Sequence, residues 1–271
     1  MIRAAKRRHG HHPLTMVTAY DEPSARLVDA AGVEMLLVGD SVANTVLGHA
    51  DTLHVDTAVL AHHTAAVATA HPHALIVADL PWMSYHVSTE EAVRNAATLV
   101  RAGAGAVKLE GGANRAAVIS AIVAAEIPVC GHLGLTPQSM LAMGGFKVQA
   151  KTLDAAAQLL ADAKSIEAAG CFAVVLEGIP DLVAQQVTDA LEIPTIGIGA
   201  GAGTDGQVLV FHDLLGLGNR PPAKFVRRYA DVGAVITEAI TNFVGDVRSG
   251  AFPSDAETYH ATGELKASFE G

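Results

Sequence analysis

The stretch MLLVGDS (35–41) decides the fold class, because a short and wholly apolar run ends abruptly on a glycine and a carboxylate, Asp40. Continuous apolar runs of this length are typical of parallel strands that are buried on both faces. The pattern returns further along the chain, and an ionisable residue stands at the end of each run. These later runs are LIVADLP (75–81), AVKLEGG (106–112), PVCGHLG (128–134) and AVVLEGI (173–179).

Helical patterns separate the strand patterns. STEEAVRNAATLVRAGA (88–104), for example, opens with the capping-box pair Ser88 and Glu91 and carries apolar residues at helical spacing. Strand and helix patterns alternate eight times between LTMVTAY (14–20) and DGQVLVFHDLLGL (205–217). This alternation predicts the α/β class, and within it a (β/α)8 TIM barrel whose parallel sheet closes on itself.

The length of 271 residues suits one such barrel in a single domain. We expect residues 1–13 to form a flexible basic N-terminus, 14–250 the catalytic barrel and 251–271 a C-terminal tail. The barrel range includes an additional C-terminal helical segment, YADVGAVITEAITNFVGDVRSG (229–250).

Composition excludes several classes of partner. The net charge of −10 argues against binding to nucleic acid or to an anionic membrane surface, since both require clustered Lys and Arg. No apolar run approaches the roughly 20 residues that span a membrane, and the basic leader lacks the apolar stretch of a secretory signal. We therefore expect a cytoplasmic protein, with Cys130 and Cys171 as reduced core thiols.

The ionisable residues at the strand ends are expected to meet at one place. All strands of a parallel barrel point the same way, so their C-terminal ends form one face, where barrel enzymes carry their active sites. A charged residue at any single strand end could simply begin a solvated loop. Five successive strands ending in such residues favour a site. The residues concerned are Asp40, Ser41, Asp79, Lys108, Glu110, His132 and Glu177.

Three carboxylates on neighbouring strands predict a cation site. Asp40, Asp79 and Glu110 would form a hard oxygen site for Mg²⁺, which takes one or two carboxylates and keeps other positions for water or substrate. The alternative is that each carboxylate pairs with a local cation, but only Lys108 is at hand. His132 as a further ligand would favour Zn²⁺; we prefer it as a neutral hydrogen-bond partner of the substrate.

Glu177 ends the sixth strand, across the barrel from Asp40 and Asp79, which places it well as a general base. A metal would polarise a carbonyl while this carboxylate removes a proton from the neighbouring carbon. Lys108 and Ser41 would then hold a substrate carboxylate. The set predicts an enolising site that forms or breaks a carbon–carbon bond of a 2-oxo acid.

Two glycine-containing stretches leave alternatives open. GIGAGAG (197–203) follows the seventh strand, where backbone N–H groups of barrels can bind phosphate, but a tight turn explains it equally well. It lies too late in the chain for a Rossmann fingerprint. GGFKVQAKT (144–152) follows the fifth strand, and it could be a mobile lid or only an exposed connection.

Longer motifs carry a family resemblance. ADLPWMSY (78–85), VCGHLGLTPQS (129–139) and IGIGAGAGTDGQVLVFHDLLGL (196–217) strongly resemble the 3-methyl-2-oxobutanoate (ketopantoate) hydroxymethyltransferases, and the resemblance runs from about Thr15 to Phe225. It implies a metal-dependent barrel of pantothenate biosynthesis. That barrel transfers a one-carbon unit from 5,10-methylenetetrahydrofolate to 3-methyl-2-oxobutanoate and gives 2-dehydropantoate and tetrahydrofolate.

The resemblance also implies roles for individual residues and an assembly. Asp40 and Asp79 match Mg²⁺ ligands that also face the substrate, and Glu110 lies close to the metal. Ser41, Lys108 and His132 match substrate contacts, and Glu177 matches the proposed proton acceptor. The family forms large homo-oligomers, typically decamers.

Two other functions compete with this one. A related metal-dependent C–C lyase, acting on a phosphoenolpyruvate or oxo-acid substrate, would use the same barrel. A diacid would need further cations, and the rim offers few besides Lys147 and Lys151, which favours a branched substrate. A barrel that only binds a ligand would not need the full set of carboxylates.

Overall fold

The protein is a closed barrel of eight parallel strands in the order of the chain, with β8 paired to β1. The computed structural model describes residues 2, 5, 6, 9–145, 147–218 and 221–270. The prediction of a (β/α)8 barrel is confirmed. The strands are β1 (Leu14–Thr18), β2 (Met35–Val38), β3 (Leu75–Asp79), β4 (Ala106–Glu110), β5 (Val129–Gly134), β6 (Ala173–Glu177), β7 (Thr195–Ile198) and β8 (Gly206–Leu209).

Helices lie between the strands and after the last strand, and the longer helices between strands pack against the outside of the barrel. They are α1 (Glu22–Ala30), α2 (Val42–Thr45), α3 (Thr57–Ala68), α4 (Thr89–Arg101), α5 (Ala116–Ala124), α6 (Met140–Met143), α7 (Leu153–Ala168), α8 (Asp181–Ala190), α9 (Phe211–Leu215), α10 (Val232–Ser249) and α11 (Gly263–Glu270). The predicted segment at 229–250 is therefore helical, as α10.

The continuous apolar runs follow from burial on both faces of the sheet. In β2, Leu36 and Val38 pack towards the surrounding helices, while Met35 and Leu37 pack inside the barrel. Successive side chains of a strand point to opposite faces, so both sets must be apolar when both faces are covered. This packing explains why the strand pattern lacks the polar alternation of a sheet that has one face in water.

Local capping fixes where the helices begin after the rim loops. The backbone N–H of Glu91 donates to Ser88 Oγ at 3.1 Å, as the sequence predicts for the start of α4. Thr152 accepts from the N–H of Ala155 at 3.2 Å at the start of α7. These caps satisfy N–H groups that the first helical turn leaves unpaired. They fix the starts of these helices beside the C-terminal ends of the strands.

Lys6, in the basic N-terminal stretch, is anchored at the opposite face of the barrel. Lys6 is only 1% exposed, and its ammonium group lies 2.8 Å from Asp205 Oδ2 just before β8. It also donates to the carbonyl oxygens of Thr188 and Ile193, at 2.7 and 3.2 Å. The expectation of a flexible end therefore does not hold at Lys6. The proposed domain limits themselves stay predictions.

The structure can be compared with two further expectations, on the cysteines and on membrane-spanning helices. Cys130 and Cys171 are free and buried, as predicted for core thiols. Among the helices of the described ranges, none combines the length and the hydrophobicity that a membrane span requires. The cytoplasmic location stays a prediction.

Candidate active site

All seven residues singled out from the strand ends line one cavity of about 570 Å³ at the C-terminal face of the barrel. Barrel closure brings them together. Asp79, Glu110 and Glu177 end their strands, and Asp40 and Ser41 follow β2. Lys108 and His132 lie two residues before the ends of β4 and β5. Asp40, Asp79, Lys108, Glu110 and His132 are each 5% exposed or less. Glu177 is more open, with 16% of its side chain exposed. Their chemical roles stay predictions, while their meeting in one cavity is observed.

Lys108 and Asp79 form a buried ion pair across the β3–β4 ladder. They are register partners, and Lys108 Nζ lies 2.8 Å from Asp79 Oδ1. Burial alone would lower the pKa of Lys108, but the charges of Asp79, Glu110 and Asp40 outweigh it and raise this pKa. The lysine is therefore cationic. The alternative of a local cation partner holds for Asp79, and a substrate carboxylate would have to share Lys108 with it.

Asp40 experiences an excess of negative charge. Its Oδ2 accepts from Gln138 Nε2 at 2.9 Å, and its backbone N–H donates to Asp79 Oδ2 at 3.0 Å. Burial, together with repulsion from Asp79 and Glu110, raises the pKa of Asp40 to about 8, although Lys108 and Gln138 act in the opposite direction. One lysine does not neutralise these carboxylates, so the cluster favours an added cation.

His132 lies between two carboxylates. Its Nδ1 is 3.4 Å from Glu110 Oε1, and its Nε2 is 3.2 Å from Glu177 Oε2. Burial and the nearby Lys108 lower the pKa of His132, but Glu110 and Glu177 outweigh them and raise it to about 9. The two flanking carboxylates favour the protonated form of the ring, whereas the neighbouring ammonium group of Lys108 favours the neutral form. The role of His132 as a neutral hydrogen-bond partner of the substrate stays a prediction.

Ser41 stands at the start of α2 and is held by a residue that the sequence patterns did not indicate. Its Oγ lies 2.8 Å from the hydroxyl of Tyr20, which is 2% exposed. Burial raises the pKa of Tyr20, so the phenol stays protonated. Gly39 permits the close approach here, because a Cβ at this position would lie 2.8 Å from Ser41 Oγ and 3.5 Å from Asp79 Oδ2.

The donor set fits a hard divalent cation. Mg²⁺ takes one or two carboxylates, and Asp40 and Asp79 supply two buried ones, joined by the backbone hydrogen bond of Asp40. Burial, and then repulsion from Asp79 and Glu110, raise the pKa of Asp40, so a nearby cation would favour its ionised form. In the ranges that the structure describes, no three His, Cys, Asp or Glu side chains are placed to hold one metal ion. A cation would therefore be held chiefly by the two aspartates, with Glu110 beside them.

The glycine-containing stretch after β7 has a structural explanation. Gly199 and Gly201 have φ angles of +61° and +75°, and a Cβ on Gly199 would lie 2.7 Å from the ring of Phe225. The turn after β7 therefore requires glycine without any ligand. Phe146 of the stretch 144–152 lies outside the described residues, and neither the phosphate site nor the lid is tested.

Acid–base groups with perturbed pKa values, buried at the C-terminal face of a closed barrel, are typical of enzymes. The model of one family, described as ketopantoate hydroxymethyltransferase, matches residues 1–255. The chain belongs to this family of transferases.

Named relatives agree with this assignment. The chain is similar to 3-methyl-2-oxobutanoate hydroxymethyltransferase of Koribacter versatilis, with 55% identity over 261 residues, 96% of this chain and 88% of the relative. It is also similar to the enzyme of the same name from Clostridium beijerinckii, with 54% identity over 91% of this chain and 90% of the relative.

Solved structures resemble the chain in fold alone. Phosphonopyruvate hydrolase, in complex with oxalate and Mg²⁺, has a TM-score of 0.61 at 13% identity, covering 99% of this chain and 94% of its own. A 2,3-dimethylmalate lyase of the PEP mutase/isocitrate lyase superfamily has a TM-score of 0.60 at 18% identity, covering 94% and 90%.

Proposed function

We propose that the protein transfers the one-carbon unit of 5,10-methylenetetrahydrofolate to 3-methyl-2-oxobutanoate as a hydroxymethyl group, with consumption of water, giving 2-dehydropantoate and tetrahydrofolate in pantothenate biosynthesis. The family assignment supports the substrate. The observation that carries the chemistry is one cavity that holds an accessible carboxylate, Glu177, and a buried carboxylate cluster short of positive charge.

The buried carboxylates are the proposed metal ligands. Asp40 and Asp79 would hold Mg²⁺, with Glu110 beside them. When bound, the cation supplies positive charge that stabilises the enolate form of a 2-oxo acid. Asp40 and Asp79 are already fixed relative to each other by the 3.0 Å hydrogen bond from the Asp40 N–H. Their orientation therefore costs little when the cation binds.

Glu177 is the proposed general base. It is more exposed than Asp40, Asp79 and Glu110, so an incoming substrate would reach it, and it would take the proton from C3 of 3-methyl-2-oxobutanoate. His132, 3.2 Å away, would keep the carboxylate oriented and contact the substrate. Lys108 and Ser41 would bind the substrate carboxylate, with Lys108 shared between it and Asp79.

The cavity favours a branched substrate over a diacid. Among the described residues that line it, Lys108 is the one Lys or Arg, so a second acidic group would have no Lys or Arg of its own to pair with. Its remaining lining includes apolar side chains that suit an isopropyl group, among them Leu37, Val46, Val175, Ile198 and Val208. A C–C lyase remains the second candidate, supported by the shared fold of 2,3-dimethylmalate lyase, but fold likeness at 18% identity carries no chemistry.

We also propose a homo-oligomer. Helix α10 carries exposed apolar side chains along its length: Val235, Ile236, Ile240, Phe243 and Val247 are 45–64% exposed. A face of this kind is typical of a protein interface. The decamer expected from the family resemblance is tested by light scattering coupled to size-exclusion chromatography.

A hydrogen-exchange experiment tests the first half of the reaction. The protein, 3-methyl-2-oxobutanoate and Mg²⁺ are incubated in D₂O without folate, and the C3 proton is followed by NMR. We expect loss of that signal, dependent on metal and abolished in Glu177→Gln. If no exchange occurs with or without added tetrahydrofolate, the proposed substrate or the proposed base is wrong. Turnover with 5,10-methylenetetrahydrofolate then tests the donor.

A further inference from the structure

We infer that Gln138, held in turn by Tyr85, is the positioning residue that fixes the carboxylates of Asp40 and Glu110 relative to each other. Gln138 lies in a short turn, Pro137–Ser139, that follows β5, and it is 4% exposed. It contacts both carboxylates, although it is distant from them in the chain. This inference rests on the proposed metal site.

The side chain of Gln138 connects the ends of two strands. Its Nε2 donates to Asp40 Oδ2 at 2.9 Å and to the carbonyl oxygen of Leu80 at 3.0 Å. Both amide hydrogens are therefore used, one on the carboxylate that follows β2 and one on the backbone just after β3. A neutral donor between these groups holds Asp40 in place without neutralising it.

The main chain of the same residue holds the third carboxylate. The N–H of Gln138 donates to Glu110 Oε2 at 3.0 Å, while the other oxygen, Oε1, faces His132 Nδ1 at 3.4 Å. One residue thus binds Asp40 through its side chain and Glu110 through its backbone. The distance between the two carboxylates depends on where Gln138 sits.

Tyr85 fixes the amide itself. Its hydroxyl donates to Gln138 Oε1 at 2.6 Å and accepts from the N–H of Glu110 at 3.2 Å. The contacts close a ring that runs from the backbone of Glu110 through Tyr85 and Gln138 back to the carboxylate of Glu110. Every polar atom of the Gln138 amide is paired, and its oxygen and nitrogen cannot exchange places without losing three hydrogen bonds.

Residues that hold metal ligands from outside typically change metal affinity by about 10–100-fold when they are removed. The test measures Mn²⁺ binding by EPR, with Mn²⁺ replacing Mg²⁺, in the parent protein, Gln138→Met and Tyr85→Phe. We expect a rise of about 10–100-fold in the Kd of Gln138→Met and a smaller rise in Tyr85→Phe. The double variant should show less than the sum of the two single effects, because Tyr85 acts in part through Gln138.

A matched control separates positioning from stability. Thr64→Val removes one buried side-chain hydrogen bond, from Thr64 Oγ1 to the carbonyl oxygen of Leu60 at 2.6 Å, inside α3 and away from the cavity. This variant should lose stability but bind Mn²⁺ as the parent does. Stability of all variants is measured by thermal unfolding in chelator.

The outcomes separate the positioning role from the metal site. Folded Gln138→Met with the Mn²⁺ affinity of the parent overturns the inference, and so do additive effects in the double variant. If Gln138→Met does not fold, an unchanged affinity in Tyr85→Phe overturns it instead. A parent protein that does not bind Mn²⁺ overturns the proposed metal site and the inference together, whereas binding that depends on Asp40 but not on Gln138 overturns the inference alone.

Discussion

Two buried lysine–aspartate pairs, at opposite faces of the barrel, have the same length and different surroundings. Lys6–Asp205 and Lys108–Asp79 both span 2.8 Å, with side chains at most 5% exposed. At the bottom face, Lys6 donates to two carbonyl oxygens and to Asp205, whose Oδ2 also accepts from the Thr195 N–H at 2.9 Å. At this face, the charge of Lys6 is balanced by that of Asp205, and both side chains have hydrogen-bond partners.

The charges around the pair Lys108–Asp79, at the C-terminal face, are not balanced in this way. Lys108 Nζ lies 3.3 Å from His132 Nδ1, and the carboxylates of Asp40 and Glu110 lie close by. A lysine–aspartate pair therefore stabilises the fold at one face of the barrel. At the other face, a pair of the same length belongs to a cluster of carboxylates that would favour an added cation. Burial and distance alone do not distinguish a structural ion pair from a functional one; the surrounding charges do.

The largest effect that the comparison predicts is on turnover at the C-terminal face. Glu177→Gln removes the proposed base and should lower kcat by about 10²–10⁴-fold, the usual contribution of general acid–base catalysis. The melting temperature should stay close to that of the parent, because this side chain is partly exposed. Steady-state kinetics and thermal unfolding measure the two effects. Retained turnover would remove Glu177 from the mechanism.

The bottom face should give the opposite result. Lys6→Met leaves Asp205 buried and without its ammonium partner, a change that costs about 3–5 kcal/mol of unfolding free energy in buried pairs. Turnover per folded molecule should not change. Urea unfolding measures the loss, with the exposed Lys164→Met as control. Equal unfolding free energies for the two variants would show that the bottom pair contributes no more than a surface lysine.

Binding of Mg²⁺ should offset the excess negative charge of the carboxylates at the C-terminal face, and it should have no effect at the opposite face. Chelation should abolish activity, and Mg²⁺ should restore it while stabilising the fold by about 2.7 kcal/mol at a hundredfold excess over Kd. Asp79→Asn should lose this stabilisation, whereas Lys6→Met should keep it. Differential scanning calorimetry with and without Mg²⁺ makes the comparison. Full activity of the chelated parent protein would contradict the proposed metal dependence.

The smallest predicted effect is a pH dependence of stability in chelator. The pKa of Asp40 is raised to about 8 and that of His132 to about 9. A carboxyl with a raised pKa makes the fold less stable as the pH rises from its unfolded pKa of about 4 towards 8. A histidine with a raised pKa contributes stability that is complete below about pH 6.5 and lost as the pH rises through 9. Both effects have the same sign.

The melting temperature of the metal-free protein should therefore decline from about pH 6 to about pH 9. Asp40→Asn should show a shallower decline, since this variant keeps only the histidine contribution. Circular dichroism melts at matched ionic strength measure both slopes. Parallel slopes for the parent and the variant would show that the ionisation of Asp40 does not contribute to the pH dependence of stability.

The sequence predicted the barrel and the meeting of the charged strand ends for one reason. Apolar runs between glycines and charged residues report burial directly, and the closure of a parallel sheet then fixes where their ends lie. Asp40, Asp79, Glu110 and Glu177 could be assigned to one cavity without coordinates. The three-dimensional structure adds the distances between them and the pKa values that follow.

Other features of the site had no such signal. Gln138, Tyr85 and Tyr20 are neutral loop residues, and Gln138 meets Asp40 across 98 positions of the chain. The charge of His132 depends on two carboxylates that arrive from different strands. Lys6 lies in a short basic stretch without periodicity, so its burial could not be inferred. Each of these depends on contacts that form only when the sheet closes.

Closure of the sheet has a consequence for synthesis on the ribosome. β1 pairs with β8, Lys6 meets Asp205 across 199 positions, and Thr18 Oγ1 accepts from the N–H of Phe211 across 193. At about 5–20 residues per second, the N-terminal strand waits roughly 10–40 seconds for its last neighbour to be translated. During that interval one edge of the nascent sheet is open, so we expect chaperone binding, and mistakes in strand pairing, to concentrate there.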